Sequence, residues 1–322
     1  MIKFKSQIEL IENEIDKYIN SLKENSLYDS VKYFLKLPSK RVRPLFTLLT
    51  NSLYNSDHSF AIPAALSNEM FHNFTLLHDD IMDSSKKRRG FETVHEKWNV
   101  NQAIVSGDSM LIMATEFLDF YDSKIQKELL KLFNSTALEV CEGQQLDIEF
   151  EKKTDIDFDD YIEMITKKTS VLIASSIKMG GIINQLDSGE LDILYNIGLN
   201  LGIAFQIQDD YLDLFGDEKI IGKKVGQDVV NNKKTALHHL FVNTASEAQL
   251  SKYHDYININ NDDEKIEKIK SLFIESDVEK SLKKLVQEYS NNATSAIESL
   301  NPKFSKTSDL IFLSEFLLKR NY

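Results

Sequence analysis

Phe205-Gln206-Ile207-Gln208-Asp209-Asp210-Tyr211-Leu212-Asp213 closes an apolar run, residues 190–215, whose spacing is helical. Gly198 and Gly202 stand one turn apart in that run, a spacing that lets a neighbouring helix approach closely. Residues four apart on a helix are neighbours, so Asp209 sits beside Asp213 at the C-terminal end of the run. A second copy, Leu76-Leu77-His78-Asp79-Asp80-Ile81-Met82-Asp83, closes another apolar run at residues 60–82 and pairs Asp79 with Asp83. One copy alone reads equally well as a solvated acidic face. Two copies, each at a helix end where the macrodipole disfavours negative charge, require a compensating cation. Mg²⁺ suits the requirement, because it prefers carboxylate oxygen, keeps waters and shares its shell with substrate phosphates. Two carboxylate clusters could hold several such ions around one diphosphate and stabilise the charge that develops as it leaves.

Outward from these runs the helical period continues. Ile8, Ile11, Ile15, Tyr18 and Leu22 step by three or four residues along one face. A helix start at Arg43-Pro44 uses proline in the first turn. Further helices are expected over 101–121, 128–150 and 161–179, with weaker signals from 233 to 322. Only 11 glycines and 4 prolines punctuate 322 residues, which favours long helices over strands joined by turns. No alternating β-branched run and no internal repeat is visible, and no Pro- or Ser-rich linker divides the chain. The expectation is an all-α protein, one helical domain over residues 1–322.

Hydrophobic residues make up 42% of the chain, enough for a sizeable core. The net charge of −12 argues against nucleic-acid binding. Cys141 is the only cysteine, so no intrachain disulfide can form, and it reads as a buried small apolar residue. The N-terminus alternates apolar and charged residues and lacks the apolar core of a signal peptide. No stretch reaches the roughly 18 apolar residues of a membrane span, so the expected location is the cytoplasm.

Two polar, basic segments, residues 84–92 and 216–234, each follow an aspartate cluster. They carry Lys86-Lys87-Arg88-Arg89-Gly90, Gly222-Lys223-Lys224 and Lys233-Lys234-Thr235, while Ser39-Lys40-Arg41-Val42-Arg43-Pro44 lies upstream. Arginine contacts phosphate oxygens in bidentate fashion and lysine supplies a mobile charge. Taken singly these are solvated surface groups; beside carboxylate clusters they suggest two anionic sites. Asp147, in Gly143-Gln144-Gln145-Leu146-Asp147, reads as structural, and His78 either positions Asp79 or packs.

The segments FHNFTLLHDDIMDSSKKRRG and FQIQDDYLDLFGD resemble the two aspartate-rich motifs of the trans-polyprenyl (farnesyl/geranylgeranyl) diphosphate synthases. Lys-Arg-x-Arg-Pro from Lys40, Lys168-Thr169 and the Gly-Lys loop near residue 222 extend the resemblance, which covers residues 39–235 in motifs. Ser39 stands where that family usually shows glycine. The resemblance implies an isoprenoid-synthase-type helical bundle around a central cavity, acting as a homodimer. The implied reaction condenses isopentenyl diphosphate with an allylic diphosphate (dimethylallyl, geranyl or farnesyl). By the same resemblance, Asp79, Asp83 and Asp209 ligate roughly three Mg²⁺ ions, with Asp80, Asp210 and Asp213 direct or through water. Arg88, Lys168, Thr169, Gln206, Lys223 and Lys233 match allylic-substrate positions. Lys40, Arg43, His72 and Arg89 match the isopentenyl diphosphate site. The carbonyl of Lys168, with Thr169 and Gln206, is placed to stabilise a carbocation.

In such enzymes bulky residues upstream of the first cluster act as a floor for the growing chain. Phe71 and Phe74, with Thr75, occupy those positions and point to a short product, C15 or C20, although core packing would equally explain both rings. A class I terpene cyclase is an alternative, but its second metal motif normally differs from Asp-Asp-x-x-Asp, and it needs no second diphosphate site. A non-catalytic subunit of a heteromeric synthase would be expected to lose one cluster, and this chain keeps both.

Overall fold

The computed structural model describes residues 2–153, 156–217, 225–303 and 305–318. The protein is all-α, as its sequence period requires. Among the described residues the strands are two residues long, Lys87–Arg88 (β1) and Phe91–Glu92 (β2), paired antiparallel. The chain forms two compact units: Met1–Ser135 with Leu172–Tyr195 and Ile297–Leu313, and Thr136–Val171 with Asn196–Ala296 and Ser314–Tyr322.

The first unit begins with α1 (Lys5–Ser21), which buries Ile11, Ile15 and Ile19 at i, i+4 spacing. α2 spans Ser26–Leu35, a segment without a helical expectation from its sequence. Its start is fixed by Asn25, whose Oδ1 accepts from the backbone N–H of Leu27 and Tyr28. α3 (Val42–Tyr54) carries Pro44 in its first turn and follows Arg41, which holds φ +48° in the left-handed region. α4 (Ile62–Met82) has Pro63 in its first turn and ends at the first aspartate cluster. It buries small side chains, Ala64, Ala65 and Ser67, together with Asn68 and Glu69. α5 (Val94–Lys97) is one turn, and α6 (Val100–Glu116) packs along α4. That packing needs Gly107, where a Cβ would stand 2.2 Å from Nε2 of His78. His78 therefore packs, and it lies 3.2 Å from the Ile104 carbonyl oxygen.

α7 (Ser123–Phe150) gives its residues through Ser135 to the first unit and the rest to the second. α8 (Phe158–Ile165) opens with a capping box between Asp157 and Asp160. A π-helical turn over Thr166–Ser170 follows, then α9 (Val171–Ile182). α10 (Ser188–Phe215) ends at the second aspartate cluster. Gly202 on α10 does what its spacing implied: a Cβ there would stand 2.3 Å from Cα of Ser170. α11 (Gln227–Val230), α12 (Ala236–Thr244), α13 (Glu247–Tyr256), α14 (Asp262–Glu275), α15 (Val278–Glu298) and α16 (Ser308–Leu318) follow. In the second unit Phe241, Tyr253 and Phe273 stack into one aromatic core, with ring centroids 5.1–6.0 Å apart. Cys141 is exposed on α7; the reading of it as a buried apolar residue is wrong, because its helix turns that position to solvent. Among the described residues no helix is long and apolar enough to cross a membrane.

Candidate active site

In the first unit, α4 delivers Asp79 half-buried, Asp80 buried and Asp83 exposed. The following basic segment is a hairpin rather than an open loop. Arg89 and Gly90, at φ +55° and +86°, form its two-residue turn. The hairpin returns Arg88 to Asp80, whose Oδ1 accepts from Nε at 2.9 Å and Nη2 at 2.6 Å. Oδ2 of Asp80 is buried without a hydrogen-bond partner. Burial raises the Asp80 carboxyl above its ordinary value while Arg88 pulls the other way. An orphaned buried carboxylate oxygen beside two accessible carboxylates suits a hard cation.

The same unit assembles the cationic residues. Arg43 Nη1 lies 2.9 Å from Nε2 of His72; an arginine can only donate, so Nε2 accepts and Nδ1 carries the proton. Burial, then the charges of Arg43 and Arg89, hold His72 well below its ordinary value, so it is neutral. Arg89 has a buried Nη1 without a partner, and Lys40 is exposed. Donors of this kind fit an anion that brings its own oxygens and needs no metal.

Arg41 departs from its neighbours. Only 2% exposed, it donates from Nη1 to Glu69 at 2.6 Å, from Nε to Glu12 at 2.7 Å and from Nη2 to the Leu35 carbonyl at 2.7 Å. It anchors the segment from which Lys40 and Arg43 project, a function the three-cation cluster in the sequence does not announce. Phe71 is buried, with ring centroids 5.5 Å from Phe74 and 5.3 Å from Phe133 of α7. Thr75 donates its hydroxyl to the His72 carbonyl.

In the second unit a cavity of about 110 Å³ is lined by Asp147, Lys168, Thr169, Gln206, Asp210 and Lys233, among others. The π-helical turn presents Lys168 and Thr169 to it, and such turns recur at functional sites. Gly143 permits this: a Cβ there would stand 2.2 Å from the backbone nitrogen of Lys168. Lys168 Nζ donates to Asp147 at 2.5 Å. Burial opposes ionisation of Asp147, but Lys168 and Lys233 outweigh it and hold the carboxyl below its ordinary value. Asp147 is thus a fixed counter-charge within the cavity for Lys168 and Lys233.

Asp209 is half-buried on α10. Asp210 and Asp213 are buried and tied to the scaffold. Asp213 Oδ2 accepts from the backbone of Asp228 at 3.0 Å. Asp210 accepts from Tyr161, Gln206 and the backbone of Ala236. Burial, then the charge of Asp228, pushes Asp210 up to about 7. Lys223 lies outside the described residues. Among the described residues no three His, Cys, Asp or Glu side chains form a closed cation site.

A family model described as Polyprenyl synthetase matches residues 24–275. A short chain isoprenyl diphosphate synthase of Methanocaldococcus jannaschii is 38% identical over 238 residues, 74% of this chain and 72% of that protein. A geranylgeranyl pyrophosphate synthase of Geoglobus acetivorans is 38% identical over 236 residues, 72% and 73% of the two chains. A crystal structure of a geranylgeranyl pyrophosphate synthase superposes with a TM-score of 0.94 at 40% identity, covering 99% of both chains. The acidic motifs and the basic groups named above fall within the matched residues, and the similarity of fold runs the full length: this chain belongs to the polyprenyl synthetase family and is a trans-prenyltransferase.

Proposed function

We propose that the protein condenses isopentenyl diphosphate with an allylic diphosphate to give an all-trans prenyl diphosphate of C15 to C20. The observation that carries this reading is the cavity of the second unit, where Lys168, Thr169, Gln206 and Lys233 converge. Lys168 and Lys233 bind the allylic diphosphate. Its C–O bond breaks, the electron pair leaves with diphosphate, and the allylic cation faces the Gln206 and Thr169 oxygens. The double bond of isopentenyl diphosphate, held through Lys40, Arg43, His72 and Arg89, supplies the electrons of the new C–C bond. A proton then passes to the departed diphosphate. Asp79, Asp83 and Asp209 would hold Mg²⁺, roughly three ions in all, and Mg²⁺ when bound neutralises the leaving diphosphate.

The family match crosses both units, residues 24–275, which supports treating the chain as one functional domain. Homodimerisation belongs to the same reading; exposed Val105 and Ile112, 51% and 62% accessible and two turns apart on α6, support it. The names of the relatives support a short product. Calorimetry with Mg²⁺ and inorganic pyrophosphate tests the assignment of the carboxylates. Asp79→Ala and Asp209→Ala are expected to abolish the Mg²⁺-dependent part of binding without lowering the unfolding temperature. Wild-type binding in either variant contradicts the assignment.

A further inference from the structure

The second aspartate of the second motif is engaged from every side. Asp210, 6% exposed, accepts at Oδ2 from the Tyr161 hydroxyl at 2.6 Å and the Ala236 N–H at 2.9 Å. At Oδ1 it accepts from Gln206 Nε2 at 3.2 Å. A carboxylate offers about four lone-pair directions and no donor, so at most about one remains for any further ligand. The partner across Oδ1 matters most. Gln206 presents its NH₂ to Asp210 Oδ1 and so turns its Oε1 the other way. Oε1 accordingly accepts from Thr169 Oγ1 at 3.0 Å. All these groups except the Ala236 amide line the cavity that holds Lys168.

Resting on the prenyl-transfer reading above, we infer that Asp210 is a positioning residue rather than a metal ligand: it fixes the Gln206 amide so that oxygen, not NH₂, faces the cation. The choice has electrostatic weight. A carbonyl oxygen directed at a developing positive charge stabilises it, and a preorganised one needs no reorganisation as the charge appears. A reversed amide would direct partial positive charge at the same carbon. Tyr161, itself 2% exposed, holds Oδ2 in place, so the carboxylate cannot swing away from Gln206.

A charge-conserving exchange tests this. In Asp210→Asn, Oδ1 of the new side chain takes the Tyr161 and Ala236 donors, which turns its NH₂ onto the Gln206 NH₂ and forces the amide to flip. In Gln206→Glu two carboxylates meet. In the double variant Asp210→Asn/Gln206→Glu, asparagine donates to glutamate, whose other oxygen again accepts from Thr169. Thermal unfolding of the metal-free protein should therefore place the double variant above both single variants. Calorimetry with Mg²⁺ and inorganic pyrophosphate should give Asp210→Asn an affinity within about twofold of wild type. Turnover should fall about tenfold or more in Asp210→Asn with KM for the allylic substrate little changed, and recover in the double variant. A double variant that unfolds no higher than the weaker single one overturns the inference, as does a Mg²⁺ affinity reduced tenfold by Asp210→Asn. Wild-type protein that elongates no primer would instead refute the prenyl-transfer reading, and the unfolding cycle would still decide the geometry.

Discussion

Gly143 lies against the backbone of Lys168, so close that a Cβ would stand 2.2 Å from the amide nitrogen. The contact fixes where the π-helical turn sits, and with it the lysine and threonine that face the cavity. The neighbour is backbone and cannot yield by changing rotamer. Gly143→Ala is expected to cost about 1–3 kcal/mol of stability and to lower turnover at least about tenfold, because small misplacements of a positioned group carry large rate effects. Unfolding midpoints and steady-state kinetics of this one variant check both.

Arg41 carries a second expectation. Its guanidinium compensates Glu69, which is 2% exposed. Removing one partner of a buried pair costs about 3–5 kcal/mol, whereas the Lys268–Glu264 pair on α14 is solvent-exposed and screened by water. Urea titration should show Arg41→Met strongly destabilised and Lys268→Met nearly unchanged. The Arg41 variant should also raise KM for isopentenyl diphosphate, since Lys40 and Arg43 lose their anchor.

How much of this was legible in the sequence depends on how local the physics is. The acidic clusters were, because i, i+4 spacing places carboxylates together whatever the tertiary fold. Gly202 was, because small residues at helical spacing imply close packing. The π-helical turn was not: 161–179 reads as one helix, and the break sits where Gly143 of α7 and Gly202 of α10 lie against Lys168 and Ser170. Nor was the difference between Arg41 and Arg43, two cations in one short motif, since it comes from Glu12 and Glu69 on distant helices. The hairpin at residues 87–92 reads as a loop, although Arg89-Gly90 is a turn signal in hindsight. Asp210 looks like Asp209 in sequence, and its contacts with Tyr161 and the Ala236 amide arise only from the tertiary fold.

The neutral His72 gives a dependence on pH. Its folded value lies below the ordinary 6.5, so the folded state takes up a proton less readily than the unfolded chain. The stability this group contributes is present above about pH 6.5 and is lost as pH falls toward the folded value. Between pH 7.5 and 5 the wild-type unfolding temperature should drop more than that of His72→Gln. Parallel curves for the two proteins contradict the assignment.

Product length tests the aromatic cluster of the first unit. Phe71 meets both Phe74 and Phe133, and an edge-to-face pair adds about 0.5–1.5 kcal/mol beyond area burial. Phe74→Ala is expected to lengthen the product by at least about one five-carbon unit, and Phe133→Ala to broaden the distribution by loosening Phe71. Chromatography of the dephosphorylated alcohols reads the result; unchanged chain lengths in both variants would return these rings to the core.

Purified protein with Mg²⁺, labelled isopentenyl diphosphate and, in turn, dimethylallyl, geranyl and farnesyl diphosphate should yield elongated diphosphates ending at C15 to C20, and EDTA should abolish them. No elongation from any of the three primers, or elongation unaffected by EDTA, would contradict the account.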